Sequence, residues 1–129
     1  MEAGALPVLV ALALFAAKHF IADFVLQTAR MRGGKGQYGH PGGLAHAGLH
    51  MAASLPALAV LGAGLPAMLL LVVFEGLAHY HIDWSKEYLT RRLALGPGQR
   101  GFWVLIGADQ FLHQLTYLAM IAAALAMRA

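Results

Sequence analysis

The sequence predicts an all-α fold: a four-transmembrane-helix bundle of up-down topology, built as one integral-membrane domain over residues 1–129. Composition is the first observation behind it. The chain is 60% apolar and 12% charged, with a mean hydropathy of +0.65, whereas an ordinary soluble domain is about 45–50% apolar and about 25% charged. The second is the spacing of apolar runs: four approach the ~20 residues that a ~30 Å hydrocarbon core requires. The third is their texture, dominated by Ala and Leu and free of period-two alternation, which disfavours strands. The same figures exclude a disordered chain. The absence of cysteine excludes disulfide scaffolds, thiolate zinc sites and iron–sulfur clusters.

The expected spans are residues 6–27, 43–61, 66–84 and 102–127. The first begins Met1-Glu2-Ala3-Gly4, without the basic start of a cleaved signal, and reads as a retained helix. A glycine-rich loop with Arg30, Arg32 and Lys35 follows it. The turn Gly62-Ala63-Gly64-Leu65-Pro66 makes spans two and three a helical hairpin. Residues 85–93 read as an amphipathic surface extension of span three. Gly48, Gly62 and Gly64 read as close helix contacts, Pro56 as a kink, and the methionines as packing or lipid-facing residues. Most basic residues fall in the two long loops, which places those loops in the cytoplasm and both termini outside. Trp84, Tyr88, Phe102 and Trp103 then mark the cytoplasmic boundary.

The polar residues inside the spans carry the functional signal. Span one holds His19 and Asp23, then Gln27; span two, His46 and His50; span three, Glu75, His79 and Asp83; span four, Asp109, Gln110 and His113. At 100° per residue, an i,i+4 pair lies within about 40° on one helix face. Up-down connectivity brings all four stripes into one layer on the cytoplasmic side of the midplane. Ionisable groups in hydrocarbon cost at least about 2.5–3.5 kcal/mol each and are normally paired. No lysine or arginine is expected in that layer, so the carboxylates need another cation. The nine residues His19, Asp23, His46, His50, Glu75, His79, Asp83, Asp109 and His113 are candidate ligands for one or two divalent ions, Zn, Fe or Mn. Glu75 reads equally as a protonated packing or proton-relay residue, His40 as a solvated or capping residue, and His81 as lying off the shared face.

The segment from His19 through Asp23 to Gln27, with His46, His50, His79-Tyr80-His81-Ile82-Asp83, Lys86, Asp109-Gln110 and His113, resembles the bacterial membrane family catalogued as domain of unknown function 3307. The resemblance covers nearly the whole chain and implies a multi-pass protein of the bacterial inner membrane, without naming a reaction. A weaker resemblance is to membrane-bound metal-dependent hydrolases related to the zinc phospholipase C and single-strand nuclease group, which place His-x-x-x-Asp or His-x-x-x-Glu pairs around clustered zinc. The terminal-amine ligation of that group does not carry over, since Met1 falls across the membrane from the stripes.

Four functions compete at this point. A metallohydrolase would use Asp23 or Asp109 as base, and Lys18, Lys86, Gln27 and Gln110 to hold a phospholipid or lipid-linked substrate. A metal-ion or proton transporter would need polar residues through the outer half, which is nearly bare beyond Glu75 and Thr116. A redox protein would use facing histidines for haem, or a di-iron centre. The last is an accessory subunit of a larger membrane complex or a homo-oligomer. No phosphate loop, nucleophile elbow or nucleic-acid motif is present.

Overall fold

Helices account for most of the described residues, 4–128, in the computed structural model. The start of the chain, with the Met1 amine and the Met1–Ala3 part of the signal-peptide reading, lies outside the described residues. Helix α1 covers Ala5–Phe20 and runs on into a π-helical turn, Ile21–Val25. Then come a short α2, Ala29–Gly34, and three long helices: α3, Pro41–Val60; α4, Leu65–Arg92; and α5, Arg100–Ala126. No strand occurs among the described residues.

Local chemistry explains the boundaries. His40 caps α3 through Nδ1, which accepts from Gly42 N at 2.9 Å, and Pro41 opens the first turn, where a missing N–H costs nothing. Gly62 ends α3 at φ +72°, with Ala63 N donating to Leu58 O at 3.1 Å and Gly62 N to Ala59 O at 2.9 Å. Gly64 and Pro66 start α4 directly afterwards. Pro56 sits inside α3 without ending it. α4 continues to Arg92, so residues 85–92 of the expected extension are helical and Leu93 caps them.

α3 packs on α4, α4 on α5, and α1 on both α3 and α5. The buried residues recur every three or four positions, as in Leu71, Val72, Glu75, Gly76, His79, Tyr80 and Asp83 of α4. At one end these stripes form a hydrocarbon core of Phe15, Leu58, Leu61, Met120 and their neighbours. At the other they carry the histidines and carboxylates. The perimeter is apolar, with Leu9, Phe24, Leu70, Leu77, Phe111 and Leu118 all exposed.

Among the described residues three helices, not four, are long and apolar enough to cross a membrane: Ala5–Val25, Pro41–Val60 and Leu65–Arg92. α5 has the length, but its polar run of Asp109, Gln110, His113 and Gln114 lowers its hydropathy. Two further expectations change. The first long loop contains α2, which is packed on α3. The close helix contact is at Gly76, where a Cβ would strike Met51, whereas Gly48 has open space.

Candidate metal centre

Two aspartates organise the polar end. Asp23 sits in the π-helical turn, closed by Leu26 N donating to Ile21 O at 2.9 Å. An i→i+5 turn holds more residues than an α-helical one, which shrinks the angular offset of an i,i+4 pair. His19 Nε2 accordingly lies 3.1 Å from Asp23 Oδ2. From α3, His46 and His50 bring their Nε2 atoms to 3.0 and 2.9 Å from Asp23 Oδ1. Asp83 mirrors this on α4: His79 Nε2 is 3.2 Å from Oδ2, and His113 Nε2 of α5 is 3.2 Å from Oδ1. His46 Nε2, 3.5 Å from Asp83 Oδ2, links the two halves.

The imidazoles are close-packed. The ring centroids of His50 and His79 are 3.8 Å apart and those of His79 and His113 are 4.1 Å apart. His46, His50, His79 and His113 are buried, while His19 and Asp23 are partly open. Two groups of ligand-type atoms converge closely enough to hold a metal ion: Asp23, His46, His50 and His79, and His79, Asp83 and His113. Both nitrogens of His46 and of His79 lack a hydrogen-bond partner, although His46 Nε2 is within 3.0 Å of a carboxylate oxygen. The distance is short, but the alignment is not that of a hydrogen bond. Ligands of a tetrahedral ion with bonds of about 2.0–2.1 Å stand roughly 3.3 Å from one another. The donor set fits a divalent ion.

Three of the nine candidate ligands stand apart from those groups. His19 contacts Asp23, and also meets Tyr117 Oη through Nδ1 at 2.7 Å and Gln110 Oε1 through Nε2 at 3.1 Å. Asp109 accepts from Gln110 Nε2 at 3.0 Å and lies 3.5 Å from His113 Nε2, with its Oδ1 unbonded. Glu75 pairs with Lys18.

That pair corrects two expectations. Lys18 is not a surface residue awaiting a head group; it is buried, bound to Glu75, 3.0 Å from His50 Nδ1 and 4.5 Å from the Tyr117 ring centroid. The layer is also not free of lysine, because Lys35 reaches in from the loop to within 3.0 Å of Asp83 Oδ2. Glycines let that loop settle. A Cβ on Gly34 would strike the His40 ring, and one on Gly42 would strike the Arg30 carbonyl. The buried carboxylates Glu75, Asp83 and Asp109, with the partly open Asp23, thus face two buried lysines, Lys18 and Lys35.

The other expected binding residues lie at the rim. Gln27 Nε2 donates to Asp23 O at 3.1 Å, and Lys86 pairs with Glu87 at 2.9 Å, beside a cleft of about 190 Å³ that reaches Asp109. His81 faces away, 2.8 Å from Tyr38 Oη. Tyr117 went unflagged in the sequence. Its signal was its place one turn beyond His113, on the same face. No curated protein and no solved structure matches the chain significantly. The model of one family, described as a protein of unknown function (DUF3307), matches residues 9–128, almost the entire chain, and the chain belongs to that family.

Proposed function

We propose that the chain is an integral membrane metalloprotein in which α1, α3, α4 and α5 all span, and that its buried centre binds one or two divalent ions for hydrolysis of a phosphate-containing lipid or lipid-linked substrate. One observation carries the reading: buried imidazole nitrogens and aspartate oxygens converge from four helices, and several have no hydrogen bond to satisfy them. Orphaned polar atoms in a low-dielectric interior are costly unless something fills the space between them.

The fourth span rests on the faces of α5. Its polar residues Asp109, His113 and Thr116 are buried, whereas Val104, Phe111, Leu112 and Leu118 are exposed. A mean over the helix hides that division: from Val104 to Leu125 the exposed positions are apolar or glycine, with Gln114 the exception. Basic residues in both long loops support their placement in the cytoplasm.

Asp23, His46, His50 and His79 would hold one ion, with Asp83 and His113 completing a second position around His79. A divalent ion there supplies a Lewis acid for attack on a phosphoryl or acyl centre. Asp109, with one unbonded oxygen at the end of the cleft, is placed to take a proton, and Gln110 holds it in orientation. The competing functions fit less well. Phe15, Leu58, Leu61 and Met120 fill the other end of the interior, which gives ions no polar route across. Stacked histidine rings about 4 Å apart leave no gap for a porphyrin between them.

Elemental analysis of the detergent-purified protein, with a visible spectrum of the same sample, tests the proposal. Zinc, iron or manganese should copurify, and Asp23→Asn or His79→Ala should lower the content roughly tenfold or more while the far-UV circular dichroism is retained. A wild type that neither contains these metals nor shifts its melting temperature when they are added overturns it, as does a Soret band. For the reaction, phosphate release from lipid substrates should be lost in Asp109→Ala. Equal turnover in that variant removes Asp109 as the base.

A further inference from the structure

The seam between α1 and α5 is the least packed of the four seams between long helices. A groove of about 270 Å³ runs along it. Its lining is hydrocarbon at Leu12, Ala16, Phe20 and Leu118 and polar at the half-buried His19 and Gln110 and the exposed Gln114. The groove meets the polar centre where that centre is least enclosed: His46, His50, His79 and His113 are at most 1% exposed, while the side chains of His19 and Asp23 are 12% and 10% exposed.

A second groove supplies the contrast. Between α3 and α4 lies one of about 360 Å³, lined by residues such as Leu44, Met51, Val73 and Leu77. It passes behind the histidine-bearing faces of the centre, and its polar lining residues are Tyr38, Tyr80 and His81, none of them among the candidate ligands. Acyl chains of the surrounding lipid can fill either groove, but of the two only the α1–α5 groove carries a polar residue in contact with the aspartate–histidine centre, His19 beside Asp23. Apolar walls ending on carboxamide and imidazole groups match an amphiphile, not a plain hydrocarbon.

We propose that the α1–α5 groove seats one acyl chain of a membrane lipid, with the ester or phosphate oxygens of that lipid against Gln110, Gln114 and His19. Gln110 and Gln114 stand one turn apart on α5, so their amide N–H groups can meet neighbouring oxygens of one head group. His19 lies between that head and Asp23, which makes the groove the lateral approach to the centre. Access from the side keeps the substrate in the bilayer throughout. The inference rests on the bilayer placement and hydrolytic reading above, and names the route and contacts of the substrate.

Photolabelling of the full chain in nanodiscs tests it, using a phospholipid with a diazirine in its acyl chain and mapping adducts by mass spectrometry. Labelling at Phe20 and Leu118 should exceed labelling at Leu44 and Leu77 by about fivefold, the ratio that one net hydrogen bond supplies. Ala16→Trp fills the groove and should bring the two sites level. The double variant Gln110→Ala, Gln114→Ala should lower phospholipid labelling by a similar factor, yet leave labelling by a diazirine alkane without a head group unchanged. Equal labelling of both grooves in the wild type overturns the proposal, and so does a double variant that labels like the wild type. Metal content is measured on the same samples: a metal-free wild type that keeps the labelling contrast defeats the centre and spares the groove.

Discussion

The two ends of the long helices bury side chains of opposite chemistry to the same depth. Leu58, Leu61 and Met120 are fully enclosed at one end, and His46, His50 and Glu75 are fully enclosed at the other. The inward spacing of three and four residues runs unbroken from one end to the other. Hydrophobicity therefore does not decide what is inside this protein. Its perimeter is apolar too, and in lipid a leucine gains nothing by facing inward apart from better packing. A charged group gains a great deal, because the alternative is hydrocarbon. The apolar end is held by shape, and the polar end by pairing, which fixes which face of each helix turns inward.

The sharpest way to break this contrast is at the boundary between the ends. Glu75 lies beside Leu71 and Val72 on the inward face of α4, and its partner is Lys18. Lys18→Met should leave a buried carboxylate unpaired and destabilise the protein by about 3–5 kcal/mol, read as thermal unfolding in detergent. Lys18→Met with Glu75→Gln should recover most of that loss. If the double variant melts with the single one, the lysine acts as packing and the pairing account of the polar end fails.

That ion pair also marks how far the sequence could be read. The four long helices follow from apolar runs with Gly and Pro at their ends, and the stripes follow from pairs such as His46 and His50, because helix period alone sets which residues share a face. Lys18 is one residue from His19 and so projects about 100° away on an ideal helix. Its long flexible side chain crosses that angle to reach a carboxylate on α4 that local periodicity does not locate. Lys35 is harder still. It sits in a glycine-rich loop whose path is set by docking against α3 and Tyr80, not by its own sequence. The π-helical turn at Asp23 left no mark in the residue pattern, and α5 hid its apolar face behind the average of both faces.

At the apolar end the expected effects are smaller. Leu58→Ala opens a cavity among Phe15, Met120 and their neighbours. In water such truncations cost about 2–5 kcal/mol, and the transfer part of that cost is absent when lipid is the reference, so about 2 kcal/mol is expected here. Leu77→Ala, on the exposed face of the neighbouring helix, should stay within about 0.5 kcal/mol. Equal losses at both positions would show that solvent exclusion, not close packing, stabilises this end.

Tyr117 belongs to both ends, which makes it the finest test of where one stops and the other begins. Its ring stacks on Phe15 with centroids 4.9 Å apart, inside the hydrocarbon core, while its hydroxyl meets His19 Nδ1 at 2.7 Å. His19 in turn stands 3.1 Å from Asp23 Oδ2, so the hydroxyl orients a histidine that holds a candidate ligand. Tyr117→Phe removes that hydroxyl and keeps the ring. Partners of this kind typically change metal affinity by about 10–100-fold, and with one residue interposed the lower value, about tenfold, is expected. Competition with a chelator would read the affinity, and thermal unfolding of the metal-free protein would read the packing. A tenfold weaker site with an unchanged metal-free melting temperature assigns the hydroxyl to the polar end. An unchanged affinity with a lowered melting temperature assigns it to the core, and the orienting link from Tyr117 through His19 to Asp23 is then wrong.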